Sequence, residues 1–216
     1  MIRTFAKVTA FVTRRSPLTG AHELLVFRHP DAGIQLPAGS VDPDERMEVA
    51  ALREVVEETG LGEIALVGHL GTTVTDLDAA RVFCEDATLR KGPTGDADIL
   101  AVIPRGWWCQ RVGEQGDHSE VQYEELDRNT DPQRVIVRFR GWVRSDLLAD
   151  RLERAFFHVR CTGPSLEHWL HRAEGRFDFA CHWLPLMPKP DIRSPQQAWV
   201  DRFHDVLVQG STRGDR

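Results

Sequence analysis

The sequence predicts an α/β (α+β) fold with a small all-β segment inserted into it. Three observations support this prediction. The first 80 residues contain strand-like runs on both sides of one acidic amphipathic helix, residues 82–149 alternate short strands with Gly/Pro turns, and residues 150–209 return to strands and end in a helix. With 216 residues and 41% apolar content, the chain can bury a core.

The first two strands are predicted at residues 5–13 and 22–28, which are β-branched and apolar runs separated by the turn-rich SPLTGA. A polar turn follows and contains His29, which could approach a phosphate or could simply be solvated.

The next segment, IQLPAGSVDPDE, leads from a short strand into the acidic helix. Asp42 or Asp44 is expected to cap this helix, and Pro43 suits an early rigid position. Gly60 is expected to end the helix as a C-terminal cap, after which IALVGHLGTTVT resumes as strand.

The acidic helix carries three carboxylates at spacings of three and four residues, which place them on one face: Glu54, Glu57 and Glu58. The apolar residues Val49, Leu52 and Val56 are expected to gather on the opposite face and pack on the core. Like charges this close destabilise a helix, so a compensating cation is expected. Oxygen-rich sites suit Mg²⁺ or Mn²⁺.

The stretch from Gly39 to Leu61 also resembles, at every constrained position, the signature of the Nudix hydrolases. The matching residues are Gly39, Glu45, Arg53, Glu54, Val55, Glu57, Glu58, Gly60 and Leu61. Ala38 stands where the family usually has a further glycine. A solvated acidic helix would explain the glutamates but not the glycines and the arginine at these spacings.

The resemblance implies an α/β/α sandwich with a mixed sheet and a metal-dependent pyrophosphohydrolase using Mg²⁺ or Mn²⁺. By the same resemblance, Glu57 and Glu58 are metal ligands, the Gly39 carbonyl adds an oxygen, and Glu54 is a ligand or the general base. Arg53 and Glu45 are implied as an orienting pair that supports the catalytic group.

The resemblance also implies one further acidic ligand from a later loop. Glu174 is the expected residue and Glu167 is the alternative. Glu124 and Glu125 could serve only if the inserted segment folds over the site, and simple solvation is the competing interpretation for all four acids.

The inserted segment, residues 82–149, resembles a bacterial Src-homology-3-type β-barrel in LRKGP, IPRGWWCQRV and GWVRSDLL. Such modules often bind peptides or cell-wall fragments on aromatic surfaces. The aromatic residues of the segment could form such a surface or fill the core of a small barrel: Trp107, Trp108, Tyr123 and Trp142. A lid or a dimerisation element is a further alternative.

After the insertion, residues 152–160 and 176–186 are predicted as strands that return to the first sheet. The last helix is expected to begin at Ser194-Pro195, and residues 210–216 are expected to form a flexible tail. The predicted organisation is therefore a core made of residues 1–80 and 150–209, interrupted by the barrel at 82–149.

The charge balance gives no indication of general electrostatic binding to nucleic acid or to an anionic membrane, since the chain has 33 acidic and 27 basic residues and a net charge of −6. No run of apolar residues could span a bilayer and no signal-peptide pattern is visible, so a cytoplasmic location is expected. The four cysteines show no metal-ligand spacing and are expected to be buried thiols.

The predicted function is metal-dependent hydrolysis of a pyrophosphate bond in a nucleoside diphosphate linked to another moiety. Trp169, Trp183 and Phe179 could stack on a base or could belong to the core. The alternative function is a nucleotide sensor or scaffold without turnover, whose barrel contacts a partner protein. The family resemblance also makes a homodimer a candidate assembly.

Overall fold

A computed structural model describes residues 2–30, 32–127, 134–173, 175, 177–192 and 195–213. The strands in order are β1 Thr4–Arg15, β2 His22–His29, β3 Gly33–Gln35, β4 Ala38–Ser40, β5 Ile64–Asp76, β6 Ala80–Phe83, β7 Ala87–Arg90, β8 Ile99–Ile103, β9 Trp108–Gln115, β10 His118–Asp127, β11 Arg134–Arg144, β12 Leu148–Ala149, β13 Arg151–Cys161, β14 His168–Ala173 and β15 Phe177–Pro185. The α-helices are α1 Met47–Thr59 and α2 Gln197–Arg213, and a 3₁₀ turn spans Ser145–Leu147.

The chain divides into two compact units. One contains residues 1–6 and 73–153, and the other contains residues 7–72 and 154–216. The sequence-based boundaries at 82 and 149 stay a prediction.

The unit of residues 7–72 and 154–216 is built on a sheet with the strand order β14-β15-β2-β1-β13-β5, to which β3 adds on β2 and β4 adds on β1. Successive residues of β1 point to opposite faces. Ala10 and Val12 join a cluster with Val55 of α1, whereas Phe11 joins a cluster with Phe203 of α2. The two helices therefore cover opposite faces of the sheet, and the mixed α+β class is confirmed.

The strands predicted at residues 5–13, 22–28, 152–160 and 176–186 are confirmed as β1, β2, β13 and β15. The expected start of the last helix is different: α2 begins at Gln197, two residues after Pro195, while Ser194 lies outside the described residues. The helix continues to Arg213, into the segment that was expected to be a tail.

The predicted N-terminal cap of α1, Asp42 or Asp44, was wrong. The helix begins after Arg46, whose backbone is extended and whose side chain makes no capping hydrogen bond. Asp42 instead donates its backbone N–H to the Glu45 carboxylate at 3.0 Å, and Asp44 adopts a left-handed backbone with φ 63°. Both aspartates therefore belong to the loop before the helix.

The predicted apolar face of α1 was also wrong. Val49 and Val56 are 51% and 42% exposed, and only Leu52 of the expected set packs against a core cluster. The buried face consists of Ala50, Ala51, Glu54, Val55 and Thr59. Because Glu54 lies on this inner face, the helix directs one of its carboxylates toward the protein.

The unit of residues 1–6 and 73–153 contains a seven-stranded sheet with the order β12-β6-β9-β10-β11-β7-β8. This sheet is consistent with an inserted all-β segment, and its likeness to a Src-homology-3-type barrel stays a prediction. The prediction that Trp107, Trp108, Tyr123 and Trp142 fill its core was wrong, because none of the four belongs to the buried cluster. The core cluster consists of Phe83, Ala87, Leu89, Ile103, Cys109, Val121, Val143 and Leu148.

Trp107 and Trp108 are about two-fifths exposed, at 39% and 43%. The Trp107 ring lies 4.9 Å from that of Tyr123, which lies 6.2 Å from that of Phe139. These three rings form a partly exposed aromatic row on the sheet.

The four cysteines are free thiols. Cys109 and Cys181 are buried, and burial raises the pKa of each thiol to about 12. Cys84 and Cys161 are partly exposed, so the expectation of buried thiols holds for two of the four. Across the described part of the chain, neither helix has the length and apolar character needed to cross a membrane.

Candidate active site

The candidate site lies where α1 faces the short strand β4. In the antiparallel pair of β1 and β4, Gly39 stands opposite Val8. A Cβ on Gly39 would lie 2.0 Å from the carboxyl carbon and from Oε1 of Glu54. Gly39 is therefore needed for the close approach of a carboxylate to the loop backbone.

Arg53 ties the loop to the helix through a forked contact with Glu45. Its Nε and Nη2 each lie 2.9 Å from one oxygen of the Glu45 carboxylate, and Nη2 also donates to the Ser40 carbonyl at 2.8 Å. Such bidentate guanidinium–carboxylate pairs fix direction as well as charge. Arg53 and Glu45 are therefore paired, and their orienting role in the site stays a prediction.

The third nitrogen of the Arg53 guanidinium donates hydrogen bonds to two glutamates. Nη1 lies 2.9 Å from Oε1 of Glu54 and 2.9 Å from Oε2 of Glu57. The hydrogen bonds that Arg53 donates to Glu45, the negative charge of Glu54 and the bonds donated to Glu57 and Glu54 raise the pKa of Arg53, whereas burial lowers it. One permanent positive charge therefore holds three acids of the site in a fixed arrangement.

Glu54 is the buried acid of the site. Burial raises the pKa of its carboxyl group, while the charge and hydrogen bond of Arg53 and the charge of Lys7 lower it, and Glu57 raises it further. The net pKa is raised above the ordinary value of a glutamate. A carboxylate in this environment is a stronger proton acceptor than a solvated one.

Glu57 and Glu58 have different surroundings from Glu54. The Glu57 side chain is 52% exposed and contacts Arg53, whereas Glu58 is half-buried and accepts the Ala38 N–H at 2.8 Å. The loop and the helix are therefore joined by two independent contacts, one through Arg53 and one through Glu58.

The C-terminal end of α1 is anchored as predicted by Gly60. Its φ is 75°, in the left-handed region, and its N–H donates to the Val56 carbonyl at 2.8 Å. The neighbouring strand β14 adds two contacts: Trp169 Nε1 donates to the Thr59 carbonyl at 2.7 Å, and His171 Nε2 lies 3.0 Å from the Glu57 carbonyl oxygen. The carboxylates at this end of the helix are thus held on a rigid support.

Of the later acids expected as ligands, Glu167 is paired elsewhere in the described part of the chain. Glu174 lies outside the described residues, and Glu167 pairs with Arg14, with 2.6 Å between Oε1 and Nη2. Glu124 pairs with Arg138 in the other unit, and the side chain of Glu125 lies outside the described ones. Over the described ranges, no three His, Cys, Asp or Glu side chains are grouped so that they could hold a metal ion.

The aromatic candidates belong to the core. Phe179 and Trp183 are buried and Trp169 packs against the same cluster, so base stacking on Phe179 or Trp183 is excluded by burial. The His29 ring lies 4.8 Å from Phe177 and 5.1 Å from Phe179, which gives it a packing role at the end of β2.

Two cations near the loop were not predicted from the sequence. Lys7 stands opposite Ser40 on β1 and its charge acts on Glu54. Arg154 of β13 donates through Nη1 to the Val8 carbonyl at 3.2 Å and to Thr9 Oγ1 at 3.0 Å, and burial lowers its pKa to about 10. If the pairing of β1 with the loop had been predicted, it would have indicated that Lys7 lies near the site. The sequence around Arg154 contains no pattern that indicates its contact with β1.

Comparisons with known structures give remote likenesses. The Ap4A hydrolase of C. elegans is 11% identical with a TM-score of 0.44, covering 95% of this chain and 99% of that one. The NUDIX domain of Shewanella oneidensis NrtR, solved with ADP ribose, is 12% identical with a TM-score of 0.42, covering 94% and 88%. The Nudix hydrolase RenU of M. smegmatis is 14% identical with a TM-score of 0.41, covering 94% and 86%.

A comparison with the curated proteins finds no match. The family model of the NUDIX domain matches residues 6–90. That stretch includes β4, α1 and every residue of the loop-and-helix site described above, from Lys7 to Gly60. Residues 6–90 of this chain therefore match the NUDIX domain, and the loop and helix of the candidate site lie within the match, whereas the supporting residues Arg154, Trp169 and His171 lie outside it.

Proposed function

We propose that this protein is a Nudix-type pyrophosphohydrolase that depends on a divalent cation and cleaves a pyrophosphate bond in a nucleoside diphosphate linked to another moiety. The observation that carries the proposal is the buried Glu54 carboxylate, which packs against Gly39 and is held by Arg53. Its raised pKa suits a group that accepts a proton from water during hydrolysis.

The residues present fit Mg²⁺ or Mn²⁺ in their chemistry. The donor set consists of carboxylates and a backbone carbonyl, which hard divalent ions prefer. Glu57 is the exposed partner of Arg53, and exposed ion pairs contribute only about 0 to 1 kcal/mol, so its carboxylate is available to a cation at small cost. The three glutamate side chains are not grouped for a metal ion in the described structure, because Glu54 and Glu57 contact Arg53. We propose that Glu57 leaves Arg53, so that Glu54, Glu57, Glu58 and the Gly39 carbonyl would hold the ion, with Glu174 as a predicted addition.

A bound divalent cation would neutralise charge on the phosphate oxygens and activate water. The chain supplies the rest of the arrangement. Arg53 orients Glu45, Glu54 and Glu57, and the Ala38 N–H orients Glu58. Burial raises the pKa of Glu54 and so makes its carboxylate a stronger base. Two cations add positive charge close to the loop: Lys7 lies on β1, which pairs with the loop, and Arg154 lies on β13 and donates to the Val8 carbonyl.

The test is a screen of phosphate-containing metabolites with Mg²⁺ and Mn²⁺, with products identified by mass spectrometry. Glu57→Gln is compared with wild type and with Glu48→Gln, a matched control on the same helix. We expect one compound class to be cleaved, with a loss of roughly 100-fold or more in Glu57→Gln and little change in Glu48→Gln.

Full activity in Glu57→Gln would overturn the site assignment. Tight nucleotide binding without any product from wild type would replace the enzyme by the sensor alternative.

A further inference from the structure

A cavity lies at the end of β1 that is remote from the acidic loop. It has a volume of about 420 Å³ and is enclosed by the end of β1, the start of β2 and the residues that follow β13. Its lining includes three arginines and a histidine, Arg14, Arg15, Arg160 and His22, and within the described chain no acidic side chain lines it. The volume falls in the range of small-molecule sites, about 300 to 1,000 Å³.

Arg14 lines this cavity with a side chain that its contacts hold in place. Its side chain is only 5% exposed, its Nε donates to Glu23 at 2.8 Å, and its Nη2 lies 2.6 Å from Glu167. Nη1 donates to Ser165 Oγ at 2.9 Å, and the guanidinium lies 4.3 Å from the centroid of the Trp183 ring. Two carboxylates therefore balance its charge, and its role is to hold Ser165 at the cavity.

Arg160 differs from Arg14 because no carboxylate of the described residues is paired with it. It lines the cavity from the end of β13, is half-buried, and has no hydrogen bond or ion pair with any residue that the structure describes. Its charge also adds to burial in lowering the pKa of the nearby His158. A partly desolvated cation without a counter-ion costs free energy, and a bound anion would offset that cost.

We propose that this cavity binds a small phosphorylated molecule, with the phosphate on Arg160 and Arg15 and the hydroxyl of Ser165 as a further donor. Guanidinium groups match phosphate oxygens through paired hydrogen bonds. Thr162 and the backbone of Gly163 also line the cavity and complete a polar wall around the anion.

The cavity is separate from the acidic loop. Gly39 pairs with Val8, and Arg14 lies six residues further along β1, which at about 3.3 Å per residue is roughly 20 Å away. Binding there requires neither a divalent cation nor the glutamates of α1. The inference thus goes beyond the proposed hydrolysis and stands or falls separately from it.

The test is calorimetric titration of the full chain with inorganic phosphate in the presence of EDTA. Arg160→Gln is compared with wild type and with Arg172→Gln, which removes the same charge from an exposed pair with Asp178. We expect phosphate affinity to fall about tenfold or more in Arg160→Gln and to stay unchanged in Arg172→Gln. Arg160→Lys, which keeps the charge but loses the fork, should lie between them.

Equal phosphate affinity in Arg160→Gln, or no saturable binding by wild type, would overturn the proposal. Acetate binding as tightly as phosphate would overturn the choice of a phosphorylated ligand. If Arg160→Gln fails to fold, amide NMR of wild type with phosphate decides: shifts concentrated at residues 160–165 support the site, and shifts elsewhere refute it.

Discussion

A methyl group on the α-carbon of Gly39 would stand 2.0 Å from the carboxyl carbon of Glu54. The loop backbone and the buried carboxylate are thus in direct contact, and no other amino acid leaves room for both. The backbone of Gly39 is not in the left-handed region, so an alanine there would cause no backbone strain. The contact with the Glu54 side chain is therefore what an alanine would disturb.

Gly39→Ala is therefore expected to preserve the fold and lose activity. The atoms that a Cβ would meet are the end of a flexible side chain, so Glu54 can turn away while the loop stays in place. A displacement of about 1 Å at a catalytic group can cost roughly 100-fold in rate. The measurement is hydrolysis of the identified substrate together with thermal unfolding.

Gly62→Ala is the matched control, because nothing lies within 4 Å of a Cβ at that position. Wild-type activity in Gly39→Ala would show that the contact with Glu54 has no part in catalysis.

Arg53→Lys should reduce kcat by about 10- to 100-fold without unfolding the protein. A lysine can reach one of the three carboxylates but cannot pair with both oxygens of Glu45 and also serve Glu54 and Glu57. The control is Arg46→Lys, just before the helix, where the side chain is 77% exposed. Steady-state kinetics of both variants would decide, and equal kcat values would contradict the orienting role.

Much of this site could be predicted from the sequence because its parts are local. Gly39, Glu45, Arg53 and the three glutamates lie within 20 residues, and helical spacing alone brings the carboxylates together. Periodicity could not show which face of α1 turns inward, since Glu54 is buried only because Gly39 leaves space beside β1.

The supports from distant parts of the chain were not predictable in the same way. Arg154 reaches Val8 across 146 residues, and Trp169 reaches Thr59 across 110. Neither contact leaves a pattern in the sequence around it, because each depends on the order of strands in the sheet. Similarly, residues 82–149 could be identified as strands separated by turns, but their pairing order is a non-local property.

Stability should depend on pH through His158. This side chain is 3% exposed, its Nε2 lies 2.7 Å from Thr13 Oγ1, and burial lowers its pKa to about 4. The folded state therefore prefers the neutral ring, and its contribution is fully present above the unfolded pKa of about 6.5. It is lost as the pH falls from about 6.5 to 4, by up to about 3 kcal/mol.

Urea unfolding between pH 4 and pH 7.5 would measure this effect. His158→Gln should flatten the dependence, while the exposed His69→Gln should leave it as in wild type. If the curves of wild type and His158→Gln run parallel, the buried histidine does not set the acid sensitivity.

Gly60→Ala tests how far the anchoring of α1 depends on its C-terminal residue. Gly60 has a φ of 75°, and a Cβ there would lie 2.7 Å from Nδ1 of His171, whose Nε2 contacts the Glu57 carbonyl. A left-handed alanine costs about 1 to 2 kcal/mol, and displacement of the imidazole adds to that cost. We expect the free energy of unfolding to fall by about 2 kcal/mol or more.

The two contributions to the Gly60→Ala effect can be separated in a His171→Ala background. There the steric contact is absent and only the backbone cost should remain, so Gly60→Ala should cost about 1 to 2 kcal/mol. An equal cost in both backgrounds would mean that the imidazole moves aside freely and does not brace the helix end. A smaller cost in the His171→Ala background would show that β14 holds the end of α1, and with it Glu57 and Glu58, through His171.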